Sequence, residues 1–186
     1  MKNTLFVVVG ARCSGKNYWM DKALAKFPNL KIILSNTTRP SRQDGVDERT
    51  YHFWANAEFD REIAAGRLIE TGSHSGFRYG LHIPYIEAEL GQKNGVIALI
   101  PSAAEMIFGR LNDAFSVKIL ALQPSFSLLM ANTHRRGIKT NGEILTAIRE
   151  DTELRLRKWA IPITAVDLNG TPEDEKILDL FNPERS

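Results

Sequence analysis

The sequence predicts a three-layer α/β/α fold whose central parallel sheet has about five strands. Residues 5–9 form a β-branched, apolar run that ends at Gly10, and such runs are typical of strands buried on both faces of a parallel sheet. Residues 17–26 follow with apolar side chains at helical spacing. Strand and helix patterns then alternate along the chain, as expected for a parallel sheet with helices on both faces.

The remaining strands are predicted from short apolar runs at residues 31–34, 95–100, 116–122 and 163–168. Two stretches break the alternation, at residues 36–94 and 133–142. Open α/β sheets bind ligands beyond the carboxyl ends of their strands, so we interpret both stretches as insertions over that edge. The single domain is thus predicted to comprise a core (1–35, 95–132 and 143–186), a larger lobe (36–94) and a small lid (133–142).

Charge and cysteine content exclude several classes of protein. The chain has 24 Lys and Arg against 22 Asp and Glu, so its net charge of +2 gives no general argument for a nucleic-acid or membrane partner. Its apolar runs are far shorter than a membrane span, and the N-terminus lacks the pattern of a signal peptide. The lone Cys13 excludes an internal disulfide. We expect a cytoplasmic monomer or homodimer that binds small molecules.

Residues 10–16 fit G-x-x-x-x-G-K, the pattern of a phosphate-binding loop. In such a loop, backbone N–H groups and the N-terminus of the following helix surround phosphate oxygens, and the lysine reaches the outer phosphates. The alternative, a glycine turn with a solvated lysine, does not account for a loop between a buried strand and an amphipathic helix. We therefore predict a site for ATP with Lys16 as a catalytic residue. The predicted nucleotide contacts are Gly10, Ala11, Arg12, Cys13, Ser14, Gly15, Lys16, Asn17 and Tyr18.

The residue after the lysine departs from the usual pattern. A Ser or Thr hydroxyl normally holds magnesium there, whereas this chain has Asn17. An amide oxygen is a possible hard ligand, and magnesium can keep several water ligands while it is bound to substrate phosphates. We therefore predict Mg²⁺ as a cofactor alongside ATP, with Asn17 as its protein ligand.

A second anion site is predicted after the second strand. Residues 35–42 carry hydroxyls together with Arg39 and Arg42, and Tyr51 follows shortly after. The planar guanidinium group of an arginine can bind a phosphate through two parallel hydrogen bonds, and a tyrosine can donate a hydrogen bond to the same group. The alternative is a solvated loop in which the arginines pair with the carboxylates at positions 44, 47 and 48.

With these residues in place, the sequence resembles the guanylate kinase-like family of P-loop nucleoside monophosphate kinases. After the phosphate loop come T-T-R-x-x-R (residues 37–42), Y-x-F (51–53), G-x-x-[IL]-E (66–70) and Y-G (79–80), in the order that the family shows. The resemblance covers nearly the whole chain. It implies a P-loop NTPase-type fold and ATP-dependent phosphoryl transfer to a nucleoside 5′-monophosphate.

The resemblance also implies roles for individual residues. The acceptor's phosphate would be held by Ser35, Arg39, Arg42, Tyr51 and Tyr79. Glu70 would face the acceptor's base. Lid arginines that close on the donor phosphates would be Arg135 and Arg136, and Asn169 would lie near the adenine of ATP.

Several positions depart from the family. The two aspartates that the family usually shows after the strand at 95–100 are absent, and Leu81 stands where a serine touches guanine. A further lid arginine falls at Ala147, with Arg149 close by as a possible substitute. An apolar pocket leaves the polar edge of a guanine unpaired, which is costly, so we predict an altered base preference.

Two alternatives stay open from the sequence. A sugar phosphate kinase of the ribose 1,5-bisphosphate type would explain the missing base-reading groups and the missing Ser or Thr after Lys16. A catalytically silent binding module would explain the missing magnesium ligands. Against the sugar phosphate kinase stand Glu70 and the tyrosines of a nucleotide-binding lobe. Against the silent module stand Lys16 and the two lid arginines, Arg135 and Arg136, which a binding module does not require.

Overall fold

The computed structural model describes residues 2–42, 47–137, 142, 145–146, 149–150, 152, 163–168 and 174–184. Its strands are β1 (Thr4–Val9), β2 (Leu30–Ile32), β3 (Ser35–Thr37), β4 (Tyr51–Phe53), β5 (Leu68–His74), β6 (Phe77–His82), β7 (Asn94–Leu99), β8 (Ser116–Pro124) and β9 (Ile163–Leu168). Its helices are α1 (Lys16–Lys26), α2 (Asn56–Ala64), α3 (Ile83–Leu90), α4 (Pro101–Leu111), α5 (Phe126–Arg135) and α6 (Asp174–Asp179), and a 3₁₀ turn covers Asp47–Arg49.

The main sheet is parallel and has five strands in the order β2-β7-β1-β8-β9. Its central strand, β1, is buried along its whole length because both neighbours and both faces are covered. The prediction of a three-layer α/β fold around a parallel sheet of about five strands is therefore confirmed. The strand predicted at 31–34 is shorter and earlier, at Leu30–Ile32.

Side chains of β1 alternate between two buried clusters, one on each face of the sheet. Leu5, Val7 and Val9 pack with apolar residues of α3 and α4. Phe6 and Val8 pack on the opposite face with residues of α1 and α6. The period of two along β1 thus produces the three layers, since each face of the sheet needs its own helices to cover it.

A second, smaller sheet follows directly from the end of β2. Its strand order is β4-β3-β6-β5, with β3 and β4 parallel and the other neighbours antiparallel. The turn between β5 and β6 uses Ser75 and Gly76, whose φ values are 53° and 80°. Only Ile33 and Leu34 separate β2 from β3. The second sheet therefore begins at the carboxyl edge of the main sheet, where ligand sites of such folds occur.

Helix α3 returns the chain to the main sheet. Ile83, Ile86 and Leu90 are buried in the cluster that also contains Leu5 and Ile97. The predicted larger lobe, residues 36–94, thus includes a helix whose apolar face packs in the core. The division into core, lobe and lid remains a prediction.

Helix α5 ends at the predicted lid, where Gly137 has a φ of 63°. Helical residues resume in the described part of the chain at positions 142, 145, 146, 149, 150 and 152. No helix within the described residues is both long and apolar enough to cross a membrane.

Candidate functional site

The phosphate loop lies between β1 and α1, as the motif predicts. Cys13 and Gly15 have φ values of 64° and 92°, which fold the loop back on itself. Within it, the ammonium group of Lys16 donates hydrogen bonds of 2.9 Å to the carbonyl oxygens of both Gly10 and Ala11. The lysine is therefore held by neutral carbonyls of its own loop, which leaves its charge uncompensated by them.

Gly10 is required by its neighbours. A Cβ at this position would lie 2.6 Å from Ser14 Oγ and 3.2 Å from the backbone oxygen of Leu122. The hydroxyl oxygen of Ser14 is itself buried and has no hydrogen-bond partner among the described residues. A side chain at residue 10 would thus displace either the loop or β8.

The loop is electrostatically unbalanced. Burial lowers the pKa of Lys16 to about 8; electrostatic attraction to the sulfur of Cys13 opposes this shift, and the charge of Arg136 adds to it. Arg136 therefore lies close enough to Lys16 for the two cations to repel each other. A bound polyanion would relieve this repulsion, so the arrangement favours phosphate.

A cavity of about 680 Å³ opens beside the loop, between α1 and α5. Predicted site residues that line it are Cys13, Ser14, Gly15, Tyr18, Arg135 and Arg136. Residues that the sequence did not single out also line it: Trp19, Ser125, Ser127, Leu128, Asn132 and Leu168. Its walls thus combine the phosphate loop with apolar side chains, as a nucleotide site requires. We call it the donor cavity.

Two of the missed residues carry a signal that could have been used. Ser125 follows the carboxyl end of β8 and caps α5, accepting a hydrogen bond of 3.2 Å from the N–H of Leu128. Leu168 ends β9 at the same edge of the sheet. Since ligands of parallel sheets bind at this edge, the residues that end each strand were candidates from topology alone.

A second cavity of about 350 Å³ lies between α1 and the second sheet. Its polar lining residues include Asn17, Tyr18, Ser35, Arg49, Thr50 and Arg136. Tyr18 and Arg136 line this cavity and the donor cavity alike. We call it the acceptor-side cavity. The two cavities therefore meet at one guanidinium and one phenol.

Three residues of the predicted acceptor site contact one another on the second sheet. The guanidinium carbon of Arg39 lies 5.7 Å from the ring centre of Tyr51, and the rings of Tyr51 and Tyr79 are 5.9 Å apart, edge to face. The backbone N–H of Arg39 donates to Thr37 Oγ1 at 3.2 Å. Arg42 is exposed on the following loop. The structure thus brings Arg39, Tyr51 and Tyr79 together, but these three do not line the acceptor-side cavity, whereas the predicted Ser35 does.

Glu70 does not point freely into an open pocket. Its carboxylate accepts two hydrogen bonds from Arg78 on the neighbouring strand, at 2.8 Å from Nε and 3.1 Å from Nη2. Arg78 also pairs with Asp60 and lies 4.5 Å from the ring centre of Phe59. The hydrogen bonds from Arg78 hold the pKa of Glu70 below its usual value.

Leu81, Arg149 and Asn169 are also among the predicted site residues. Leu81 is 0% exposed and belongs to the core cluster of Leu5 and Ile86, so its side chain faces neither cavity. Arg149 is half-buried at a helical position. Asn169 lies outside the described residues.

Oxygen donors suited to magnesium lie on one face of α1. Asn17 and Asp21 are both exposed, stand one helical turn apart and line the acceptor-side cavity. Amide and carboxylate oxygens are ligands that Mg²⁺ accepts. Among the described residues, no group of three or more His, Cys, Asp or Glu side chains could hold a metal by itself. A magnesium ion here would therefore depend on substrate phosphates for most of its ligands.

Comparison with known proteins agrees with this geometry. The family model "Guanylate kinase" matches residues 2–146. A guanylate kinase of Symbiobacterium thermophilum is 32% identical over 153 residues, covering 82% of this chain and 72% of its own. One from Thermotoga maritima is 26% identical over 193 residues, covering 100% and 89%. The crystal structure of guanylate kinase from Anaplasma phagocytophilum superposes with a TM-score of 0.63 at 18% identity, covering 96% of this chain and 84% of the other. The chain belongs to the guanylate kinase family.

Proposed function

We propose that this protein transfers the terminal phosphoryl group of ATP to a nucleoside 5′-monophosphate. The observation that carries the proposal is the meeting of the two cavities at Arg136, beside Lys16. Phosphoryl transfer needs a donor and an acceptor phosphate in line, with cations where charge develops between them. A guanidinium shared by both cavities meets that need, and guanylate kinase relatives support the same reaction class.

In the proposed mechanism the chain's own groups position the substrates and neutralise charge. Lys16 and the loop N–H groups hold the donor phosphates, while Arg39, Tyr51 and Tyr79 align the acceptor phosphate, with Arg42 on the adjoining loop. An acceptor phosphate oxygen is already anionic at neutral pH, so no strong general base is needed. Arg136, with Arg135 beside it, stabilises charge on the transferring group.

Magnesium, when bound, would neutralise part of the negative charge of the donor phosphates. Asn17 is the residue we assign to hold it, and Asp21 would contribute through the ion's remaining waters. Both side chains line the acceptor-side cavity from α1, the helix that follows the phosphate loop. The hard oxygen character of this pair supports the assignment.

We further propose that the acceptor's base is not guanine. In guanylate kinase-like proteins the position of Glu70 faces the base, but here its carboxylate is occupied by two hydrogen bonds from Arg78. Leu81 is buried in the core, and residues 98–102 carry no carboxylate. A guanine would therefore leave its N–H donors unpaired, which costs about 1–3 kcal/mol for each group.

A panel assay tests the reaction and the base together. Purified protein is mixed with ATP, Mg²⁺ and each ribo- and deoxynucleoside monophosphate in turn, with ribose 1,5-bisphosphate added to the panel, and ADP formation is followed. The Lys16→Ala variant is the control for contaminating kinases. We expect turnover with one nucleotide other than GMP or dGMP, lost in the control.

The other outcomes are equally informative. Turnover with ribose 1,5-bisphosphate alone would replace the nucleotide by a sugar phosphate acceptor. Turnover that is fastest with GMP would refute the altered base preference. Binding of ATP without turnover on any member of the panel would refute the proposed activity and support a binding module.

A further inference from the structure

Asn132 connects the phosphate loop to the last turn of α5. Its side-chain Nδ2 donates to the carbonyl oxygen of Cys13 at 2.9 Å, across 119 positions in sequence. Its Oδ1 accepts from Nη1 of Arg135 at 3.2 Å. The amide orientation is fixed by its partners, because a carbonyl can only accept and a guanidinium can only donate.

The contact falls where the loop is conformationally costly. Cys13 has a φ of 64°, in the left-handed region of backbone conformation that residues with a Cβ atom rarely adopt. The next N–H, of Ser14, donates back to the carbonyl of Ala11 at 3.2 Å. The peptide group between Cys13 and Ser14 is thus held by two hydrogen bonds, one from Asn132 to its oxygen and one from its N–H to Ala11.

The same amide also restrains a cation of the donor cavity. Arg135 and Asn132 both line that cavity, beside Cys13. A neutral amide oxygen holds the guanidinium without cancelling its charge, so Arg135 remains available to an anion. One side chain therefore controls a loop peptide and an arginine that face the same space.

We propose that Asn132 is a positioning residue for the donor nucleotide. It holds the phosphate loop in its anion-binding conformation at Cys13 and aims Arg135 into the donor cavity. The proposal rests on the donor site of the proposed function, but it concerns ATP binding and needs no acceptor. It also accounts for a residue with a Cβ at a left-handed position of the loop, since the tie to Asn132 offsets the cost.

The test is a double-mutant cycle between Asn132 and Cys13, read as the Kd for ATP with Mg²⁺ by isothermal titration calorimetry. Asn132→Ala should weaken binding about tenfold, the effect of one lost hydrogen bond that leaves a partly buried carbonyl unpaired. In a Cys13→Gly background, the same change should weaken binding only about threefold, because glycine adopts a positive φ without strain. Asn132→Ser is the second variant if alanine impairs folding, which circular dichroism would reveal.

His134→Ala is the matched control, since this exposed side chain belongs to the same helix and lines neither cavity. It should leave the Kd unchanged. Equal losses in the two Cys13 backgrounds, or no loss in either, would overturn the proposal. Because the readout is binding, wild-type protein that binds ATP but phosphorylates no acceptor would refute the proposed function while leaving this result intact.

Discussion

The cations beside the phosphate loop and those around β5, β6 and α2 differ in what holds them. Beside the phosphate loop, Lys16 is held by two backbone carbonyls and Arg135 by the amide of Asn132, all neutral groups. Around β5, β6 and α2, Arg78 pairs with Glu70, and Arg67 pairs with Glu62. Neutral partners fix a cation's position and leave its charge for a ligand, whereas carboxylates cancel it.

This difference separates two tasks of charged residues. In the proposed function, the donor-side cations bind phosphate, and their mutual repulsion favours the binding of an anion. The ion pairs around β5, β6 and α2 hold these elements together and, in the proposed function, engage the Glu70 carboxylate that would otherwise be available to the base. Breaking each kind of contact should therefore have different effects.

The largest effect is expected for Lys16→Ala. Removing this ammonium takes away positive charge where charge develops on the donor phosphates, so kcat should fall by about 10³-fold. The measurement is steady-state ADP formation with the acceptor found in the panel. Lys93→Ala, at an exposed position after α3, is the matched control and should keep full activity. Retention of more than a tenth of wild-type kcat in Lys16→Ala would contradict the assignment.

On the acceptor side, Arg39→Ala should raise the KM for the acceptor about 100-fold, the cost of losing a charge-assisted contact to phosphate. The KM for ATP should stay within about twofold, because Arg39 contacts Tyr51 on the second sheet and does not line the donor cavity. Initial rates over both substrate concentrations separate the two constants. Arg110→Ala, on α4, controls for a general loss of charge; equal weakening of both substrates would exclude the assigned role.

Freeing Glu70 tests whether its ion pair sets base preference. Arg78→Ala leaves the carboxylate without its two hydrogen bonds, so the ratio of kcat/KM for GMP to that for the preferred acceptor should rise about tenfold. Asp60→Ala is the matched control, because it removes the other partner of Arg78 and keeps the pair with Glu70. A ratio that moves equally in both variants would show that local disruption, not the carboxylate, is responsible.

A smaller effect is expected for Asp21→Asn. Losing one negative charge near the ion's waters should raise the Mg²⁺ concentration for half-maximal activity about fivefold, equivalent to ~1 kcal/mol. A magnesium titration at saturating ATP measures it. Glu175→Gln, on α6, is a control of the same charge change away from the acceptor-side cavity. An unchanged requirement in Asp21→Asn would remove Asp21 from the magnesium site.

The smallest effect concerns stability. Hydrogen bonds from Arg67, at 2.7 and 2.9 Å, lower the pKa of Glu62 from its ordinary value of 4.5 to about 2. The unfolded chain therefore binds more protons between these values, and the free energy of unfolding falls as pH drops from about 4.5 towards 2. Glu62→Gln should flatten this part of the profile, measured by urea unfolding at successive pH values. A slope as steep as in the wild type would assign the acid sensitivity to other carboxylates.

What could be predicted from sequence depended on how local the signal was. The β-branched run before Gly10 and the lysine motif specify strand, loop and helix within a short segment, and the structure has them in that order. The second sheet could not be predicted in the same way. Its strands β3 and β4 are three residues each and depend on pairing with distant partners, so they carry no usable periodicity.

The same reasoning applies to the site. Arg39, Tyr51 and Tyr79 were predicted from residue type and from the resemblance to the family's motifs, and their contacts come from strand register, with Thr37 opposite both Phe53 and Tyr79. The hydrogen bonds of Asn132 join residues 119 positions apart, and no local pattern encodes them. The occupation of Glu70 by Arg78 depends on the register of β5 and β6, including the irregularity between Glu70 and Gly72.

The strand order of the main sheet has a consequence for synthesis of the chain. β1 is the first strand to be made but lies in the centre, paired with β7 from residue 94 and with β8 from residue 116. During translation, more than half of the chain must therefore be made before a neighbouring strand can pair with either edge of β1. Such non-local pairing slows folding and prolongs exposure of an aggregation-prone segment. The phosphate loop, although encoded near the start of the sequence, therefore cannot be held between two paired strands until β7 and β8 have been made.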